Sequence, residues 1–193
     1  MNERRRRRGL SRCLRLGVLL FALAACGGQP HWHSRDIRGL LPDLPSELSP
    51  RIGSAEVRLL FFGYTHCPHL CPATLARLDA VSAALGHPPD LRIVFISVDP
   101  RRDTRPVLRA FLQRFRAPVS GLRPDPATLR VLSRRYRVGY GYGDADDRGN
   151  YAVSHPAGVY VFDRQGRARL LIRPSDRHDG VVADLRRLLA EGA

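Results

Sequence analysis

The chain has 193 residues, a length that suits one domain with a substantial hydrophobic core. It carries 32 basic and 18 acidic residues, a formal net charge of +14, and every basic residue is an arginine. A nucleic-acid-binding protein clusters its cations on one face with exposed aromatic residues, whereas these arginines are scattered among apolar residues. The charge pattern therefore argues against a nucleic-acid-binding protein.

The N-terminus has the pattern of a bacterial export signal. The basic run Arg4–Arg8 precedes the apolar run Leu16–Ala25, which at about ten residues is too short to span a bilayer comfortably. Small residues then lead into Cys26, as in a lipobox, although an ordinary cleavage site or an uncleaved anchor would give a similar pattern. We predict a lipoprotein signal peptide over residues 1–25 and a lipid on Cys26. The protein would then be anchored to the bacterial cell membrane, facing the periplasm or extracytoplasmic space.

The remainder of the chain reads as a tether followed by one α/β domain. Residues 26–54 are rich in proline, serine and glycine, and we predict that they form a tether and lead-in to a domain over residues 55–193. In that domain strand-like and helix-like stretches alternate, which predicts an α/β fold. The predicted strands cover residues 57–64, 91–98, 151–163 and 167–172, and the predicted helices cover residues 67–85, 104–115, 125–138 and 175–189.

A glycine-rich and acidic segment, Gly139–Asn150, interrupts this alternation. Its acidic residues suggest a calcium-binding loop, but Arg148 stands where an oxygen ligand is needed and no glutamate closes the pattern. We therefore predict a surface loop.

Cys67 and Cys71 are expected to be the only thiols of the mature domain, because Cys13 leaves with the signal peptide and Cys26 carries lipid. A purely structural disulfide is disfavoured, since closing so short a loop restrains little of the unfolded chain. At positions i and i+4 of a helical first turn the two thiols would face the same side, and the helix start would favour thiolate. The pair is either a redox-active couple or part of a soft-metal site.

His155 is the candidate third group. It stands at the predicted start of an apolar strand, where an imidazole has no packing role. In a thioredoxin-like sheet this strand entrance would lie opposite the helix start that carries the cysteines. A single histidine is more often structural or exposed, so the residues alone leave its role open. His31 and His33 flank Trp32, and we attribute that spacing to composition rather than to a second metal site.

Three motifs occur in the order typical of the Sco/SenC family. They are Phe61-Phe62-Gly63-Tyr64-Thr65-His66-Cys67-Pro68-x-x-Cys71-Pro72, the run from Phe95 to Thr104, and Val153-x-His155. The chain resembles this family over about residues 37–190. The resemblance implies a thioredoxin-like fold in which helices flank a central mixed sheet.

The resemblance also implies a function. Members of this family are membrane-anchored copper metallochaperones that help to assemble the dinuclear copper centre of cytochrome c oxidase. By motif, Cys67, Cys71 and His155 become the copper ligands. Two thiolates and an imidazole suit Cu(I) in a three-coordinate site and accept Cu(II) with an added ligand, although Zn²⁺ could also use them. The implied partners are the copper-bearing oxidase subunit and a periplasmic copper donor or thiol reductant.

Two positions depart from the family pattern. His69 stands between the cysteines where an acidic residue is usual, and Ser154 stands where aspartate often precedes the histidine. We expect an exposed His69 side chain, with tuning of the thiols or extra ligation as alternatives.

Two other functions are compatible with the same residues. In the first, an extracytoplasmic thiol-disulfide oxidoreductase uses the redox-active pair Cys67 and Cys71 to keep oxidase-subunit cysteines reduced. A metallochaperone could also carry such reductase activity as a secondary one. The second is a copper sensor or scavenger involved in redox signalling.

Overall fold

The computed structural model describes residues 31–45 and 56–191. The predicted signal peptide, the predicted lipid attachment at Cys26 and much of the predicted tether lie outside these ranges. Within the two described ranges, no helix combines the length and the apolar character needed to cross a membrane.

A six-stranded mixed sheet forms the centre of the domain. Its strands are β1 (Arg35–Asp36), β2 (Val57–Gly63), β3 (Leu91–Ser97), β4 (Val119–Leu122), β7 (Val159–Phe162) and β8 (Ala168–Ile172). Their order across the sheet is β1-β8-β7-β2-β3-β4, in which β2, β3 and β4 are parallel and the other neighbours are antiparallel. The central mixed sheet of the predicted α/β fold is confirmed.

The adjacent parallel strands β2 and β3 explain why the sequence shows continuous apolar runs instead of alternation. Every residue of β2 is buried, and β3 has only the partly exposed Arg92. Strands buried on both faces need apolar side chains at successive positions. The register pairs Gly63 with Ser97, so the carboxyl ends of both strands deliver their following loops to the same edge of the sheet.

The described ranges contain four helices, and each one lies within a predicted helical segment or extends it by a single residue. They are α1 (Leu70–Ala84), α2 (Arg105–Leu112), α3 (Pro126–Arg135) and α4 (His178–Ala190). The predicted cap of α3 is confirmed, because the Asp125 carboxylate accepts hydrogen bonds from the N–H groups of Ala127 and Thr128.

The predicted strand over residues 151–163 is wrong as one element. Val153–Ser154 forms a short strand, β6, that pairs with β5 (Gly141–Tyr142), and the chain then leaves strand geometry before β7 begins. Pro156 lies in the break, where it cannot donate a ladder hydrogen bond. His155 therefore stands in a connection between two strands rather than at the start of one. The predicted surface loop contains β5, and its residues from Tyr142 to Asn150 are exposed.

The lead-in packs against the domain from Trp32 onward. Strand β1 pairs with β8, and the Leu44 N–H donates to the carbonyl of Gly166. The buried carboxylate of Asp184 on α4 accepts from the backbone N–H groups of His33 and Ser34. These bonds attach the N-terminal part of the described chain to the sheet edge and to α4.

Candidate metal centre

Three separate segments bring Cys67, Cys71 and His155 together. Cys67 lies in the turn after β2, Cys71 in the first turn of α1, and His155 in the connection between β6 and β7. One ligand atom from each of the three lies within 4.8 Å of the other two, and no other group of this kind occurs in the described ranges. Both cysteines are free thiols, and the Cys71 Sγ lies 3.4 Å from the His155 Nε2. The structure thus brings the predicted site residues together.

The helix that carries Cys71 begins later than predicted. It starts at Leu70, so Cys67 precedes it instead of sharing its first turn. Cys67 is followed by Pro68, which disfavours helical backbone at the residue before it. The two sulfurs nevertheless lie within 4.8 Å of one another, and the Cys71 N–H donates to the Cys67 Sγ at 3.4 Å. The Cys67 sulfur therefore lies outside the helix and faces N–H groups at the helix start that have no partner within the helix.

The two thiols differ in acidity. Burial raises the pKa of Cys67, but hydrogen bonds to its sulfur outweigh burial and lower the pKa, with the backbone N–H of Cys71 the foremost donor. Burial raises the pKa of Cys71 strongly, and the negative charge of a Cys67 thiolate adds to that effect. Cys67 is therefore the thiol that ionises first.

The His155 ring presents one nitrogen to the thiols. Its Nδ1 lies 3.0 Å from the carbonyl oxygen of Pro156, and a carbonyl can only accept, so Nδ1 carries the proton and Nε2 keeps its lone pair toward Cys71. The ring packs edge-on against Tyr64, with 5.8 Å between ring centroids, and against Phe61 at 6.0 Å. Burial lowers the pKa of His155, which favours the neutral imidazole that binds metals.

Gly63 makes room for the Cys71 sulfur. A Cβ at this position would lie 2.9 Å from the Cys71 Sγ and 2.9 Å from the Phe95 ring, closer than real contacts allow. The sequence motif contains Gly63, but reasoning from the sequence gave it no role, because the close approach arises from α1 packing over the end of β2.

Asp103 holds the turn that carries Cys67. Its carboxylate is fully buried and accepts hydrogen bonds from the Thr65 N–H at 3.1 Å, the Thr65 hydroxyl at 2.6 Å and the Ser97 hydroxyl at 2.6 Å. These bonds tie the turn after β2 to the end of β3. Asp103 belongs to the second sequence motif, and this geometry explains its place there.

A second polar cluster holds the hairpin that leads to His155. The buried Asp99 carboxylate pairs with Arg102 and accepts from the Tyr151 hydroxyl at 2.9 Å. The Arg102 guanidinium lies 3.5 Å from the centre of the Tyr151 ring and 5.6 Å from that of Tyr64. Tyr64 in turn contacts the His155 ring. We refer to Asp99, Arg102 and Tyr151, which hold the hairpin in place, as the hairpin clamp.

The two departures from the family pattern lie outside the group of ligand atoms. His69 precedes α1 with an exposed side chain that makes no capping hydrogen bond, in agreement with the expected exposure. Ser154 is also exposed, and its hydroxyl donates to the carbonyl of Gly141 at 3.2 Å. Neither residue belongs to the three-ligand cluster.

Comparison with known proteins identifies the family of the chain. The model of the SCO1/SenC family matches residues 47–190 of the chain. The chain belongs to the SCO1/SenC family. It is 34% identical over 135 residues to the mouse mitochondrial protein SCO2 homolog, a match that covers 68% of this chain and 53% of that protein. The chain thus spans about half the length of the curated SCO relatives it matches.

Solved Sco structures share the fold of this chain. The copper-bound structure of Bradyrhizobium japonicum ScoI is 35% identical, with a TM-score of 0.64, and covers 70% of this chain and 86% of that one. Apo Sco1 of Thermus thermophilus is 30% identical, with a TM-score of 0.65, and covers 84% of this chain and 99% of that one. The predicted thioredoxin-like fold is confirmed.

Proposed function

We propose that this SCO1/SenC protein is a copper metallochaperone that delivers copper to cytochrome c oxidase, with Cys67, Cys71 and His155 as the copper ligands. The observation that carries the proposal is the convergence of their three ligand atoms within 4.8 Å from three separate segments. The copper-bound structure of the Bradyrhizobium relative supports the choice of metal.

The donor set favours copper over other metals. Thiolate and imidazole ligands are too soft for Mg²⁺ or Ca²⁺, and two thiolates with one imidazole fill a three-coordinate Cu(I) site. Zn²⁺ could use the same three ligands with water as the fourth, so ligand count alone does not exclude it, but the softness of the thiolates and the higher affinity of such sites for copper favour copper. Cu(II) can be held with one added ligand. Metal binding displaces the proton of Cys71, whose raised pKa keeps it protonated otherwise.

Copper delivery would proceed by ligand exchange. Cys71 is fully buried, whereas Cys67 is 8% exposed and lies in a turn, so an incoming ligand would replace Cys67 first. Oxidation of the two thiols to a disulfide removes two electrons and two protons, which an oxidant outside the cytoplasm accepts, and it blocks copper loading. The redox state of the pair would therefore control the function.

We also propose the cellular setting. A lipid on Cys26, exposed when the signal peptide 1–25 is removed, would anchor the protein to the cell membrane through a tether over residues 26–54. The domain over residues 55–193 would then face the extracytoplasmic space, where it meets the copper-bearing oxidase subunit and a copper donor or thiol reductant.

The difference in thiol acidity favours a second candidate function. A lowered pKa at Cys67 and a raised pKa at the buried Cys71 are typical of an attacking thiol and a resolving thiol. The protein would then reduce the cysteines of the oxidase subunit, with Cys67 forming the mixed disulfide.

One pair of variants separates the two functions. If the protein is a metallochaperone, His155→Ala should lower Cu(I) affinity by at least the roughly 10–100-fold that loss of an outer-shell partner costs at a metal site. It should also impair oxidase assembly, as Cys67→Ser does. The measurements are chelator competition on the reduced protein and oxidase activity in a strain lacking the native gene. His69→Ala removes an exposed imidazole beside the same cysteines and should behave as wild type. Normal oxidase assembly with His155→Ala, together with failure of Cys67→Ser, would instead establish the reductase.

A further inference from the structure

A cleft lies beside the hairpin that leads to His155. Its volume is about 670 Å³, and it is formed by the loop after β3, the start of α3 and the segment that contains β5. The residues that give it its chemical character are three arginines and three tyrosines: Arg101, Arg123, Arg130, Tyr140, Tyr142 and Tyr151. We call it the arginine–tyrosine cleft.

Within residues 31–45 and 56–191, the arginines of the cleft have no acidic partner. Arg101 and Arg130 are exposed, and their side chains form no ion pair or hydrogen bond with the rest of the described chain. In the part of the chain that the structure describes, the Arg123 side chain donates only to the backbone carbonyl of Pro100, at 2.9 Å. Guanidinium groups with free N–H donors bind carboxylates in a bidentate manner.

The two lining carboxylates are already engaged. Asp99 is paired with Arg102 in the hairpin clamp, whereas the exposed Asp125 accepts the hydrogen bonds that begin α3 and keeps its negative charge, so three arginines face one lining carboxylate that has no ion-pair partner in the described chain. Asp144, Asp146 and Asp147 are exposed on the loop that contributes Ala145 to the lining, so they repel an acidic ligand from that end. The free positive charge is therefore concentrated at the arginine side of the cleft.

The three tyrosine rings line one side of the cleft and are held in place by hydrogen bonds and by packing on one another. The Tyr142 hydroxyl donates to the carbonyl of Val98 at 2.7 Å, and that of Tyr151 donates to Asp99 at 2.9 Å. Tyr142 packs edge-on against both Tyr140 and Tyr151, yet half of its surface, 52%, remains exposed. Aromatic residues and arginines are the residue types that contribute most to protein–protein binding.

A chain of side-chain contacts connects the cleft to the candidate metal centre. Tyr151 lines the cleft and stacks on Arg102, Arg102 reaches the Tyr64 ring, and Tyr64 packs against His155. In addition, Tyr142 pairs with Val153 in the two-stranded β5–β6 ladder, two residues before the histidine. A protein held in this cleft would lie against the hairpin that carries a copper ligand.

From these observations we infer that the arginine–tyrosine cleft is the docking site for an acidic segment of the protein that receives the copper. The inference rests on the proposed function and adds the chemistry by which the recipient is recognised. Carboxylates of the recipient pair with Arg101, Arg123 and Arg130, and its adjoining residues pack on Tyr142. Charge attraction of this kind mainly raises the rate of association.

The test uses the charge-reversal variant Arg101→Glu/Arg130→Glu in copper transfer to an oxidase subunit. The probe is the reduced, copper-free soluble domain of the copper-bearing oxidase subunit from the same genome, with transfer followed at low ionic strength. We expect at least about a tenfold loss of transfer rate, and a weaker salt dependence than wild type, with unchanged Cu(I) affinity. The matched control Arg116→Glu/Arg186→Glu changes the net charge equally at exposed arginines outside the cleft and should transfer at close to the wild-type rate.

Four outcomes would overturn the docking site. An equal loss of transfer rate in both double variants would show that net charge, and not this cleft, governs the encounter, and a wild-type rate in both would show that neither does. Unchanged transfer, with loss of binding to phosphatidylglycerol vesicles only in the cleft variant, would assign the arginines to a membrane surface. Absence of copper binding by the wild-type protein would overturn the proposed function itself, and the docking site with it.

Discussion

Replacing Cys71 with serine is expected to reduce Cu(I) affinity by more than about 100-fold, because loss of even an outer-shell partner typically costs 10–100-fold and this thiolate is proposed as a direct ligand. Cys71 is the central member of the cluster, since its sulfur faces the His155 Nε2 and its N–H contacts the Cys67 sulfur. A serine hydroxyl is harder than a thiolate and stays protonated near neutral pH. Chelator competition on the reduced protein measures the change.

The control for Cys71→Ser is Ala73→Ser, which adds the same hydroxyl to an exposed position two residues further along α1. It should leave copper affinity unchanged. Far-ultraviolet circular dichroism of both variants checks that the fold is retained, since serine is close to cysteine in size. Copper binding by Cys71→Ser at the wild-type affinity would contradict the assignment of Cys71 as a ligand.

Replacing Asp103 with alanine is expected to lower the free energy of unfolding by about 3 kcal/mol, because it leaves buried donors unsatisfied at about 1–3 kcal/mol each. The carboxylate has no exposed surface and accepts from the Thr65 N–H, the Thr65 hydroxyl and the Ser97 hydroxyl. The cavity left by alanine is small, and the Ser97 hydroxyl can form a hydrogen bond with another partner. The loss of unfolding free energy should therefore stay near the lower end of the sum for the three donors. Urea denaturation of the reduced, copper-free protein measures it.

Asp125→Ala supplies a matched comparison for Asp103→Ala. Asp125 also accepts three hydrogen bonds, from the Ala127 N–H, the Thr128 N–H and the Thr128 hydroxyl, but it does so as an exposed helix cap, so its loss should cost only about 1 kcal/mol. Equal losses for the two variants would show that Asp103 does not hold the Cys67 turn. The Asp103 variant should in addition weaken copper binding, since the turn it releases carries the proposed ligand Cys67, whereas the Asp125 variant should not.

The parts of the structure that could be predicted from sequence are those set by local pattern. The buried strands β2 and β3 follow from apolar runs, and the start of α3 follows from Asp125 and Pro126. Strand β4 was missed because it contains Gly121 and Ser120 instead of a run of branched apolar residues. It forms there because Leu108 and Leu112 of α2 fill the space above Gly121, a tertiary contact that no local pattern shows.

In the candidate metal centre, too, some residues can be predicted from local sequence pattern and others depend on tertiary contacts. The spacing of Cys67 and Cys71 identified two members from the residues themselves, whereas His155, 84 residues beyond Cys71, was assigned a role only through the order of the family motifs. The positions of Gly63 and Asp103 depend on α1 and β3 meeting the same turn. Their functions are therefore visible only in three dimensions.

The most direct test of the copper site is an anaerobic Cu(I) titration of the reduced protein, followed by X-ray absorption spectroscopy of the loaded form. The proposed site predicts uptake of one copper ion per chain, with two sulfur neighbours and one nitrogen neighbour. Failure of the reduced protein to take up Cu(I), or a bound copper with sulfur neighbours alone, would contradict it.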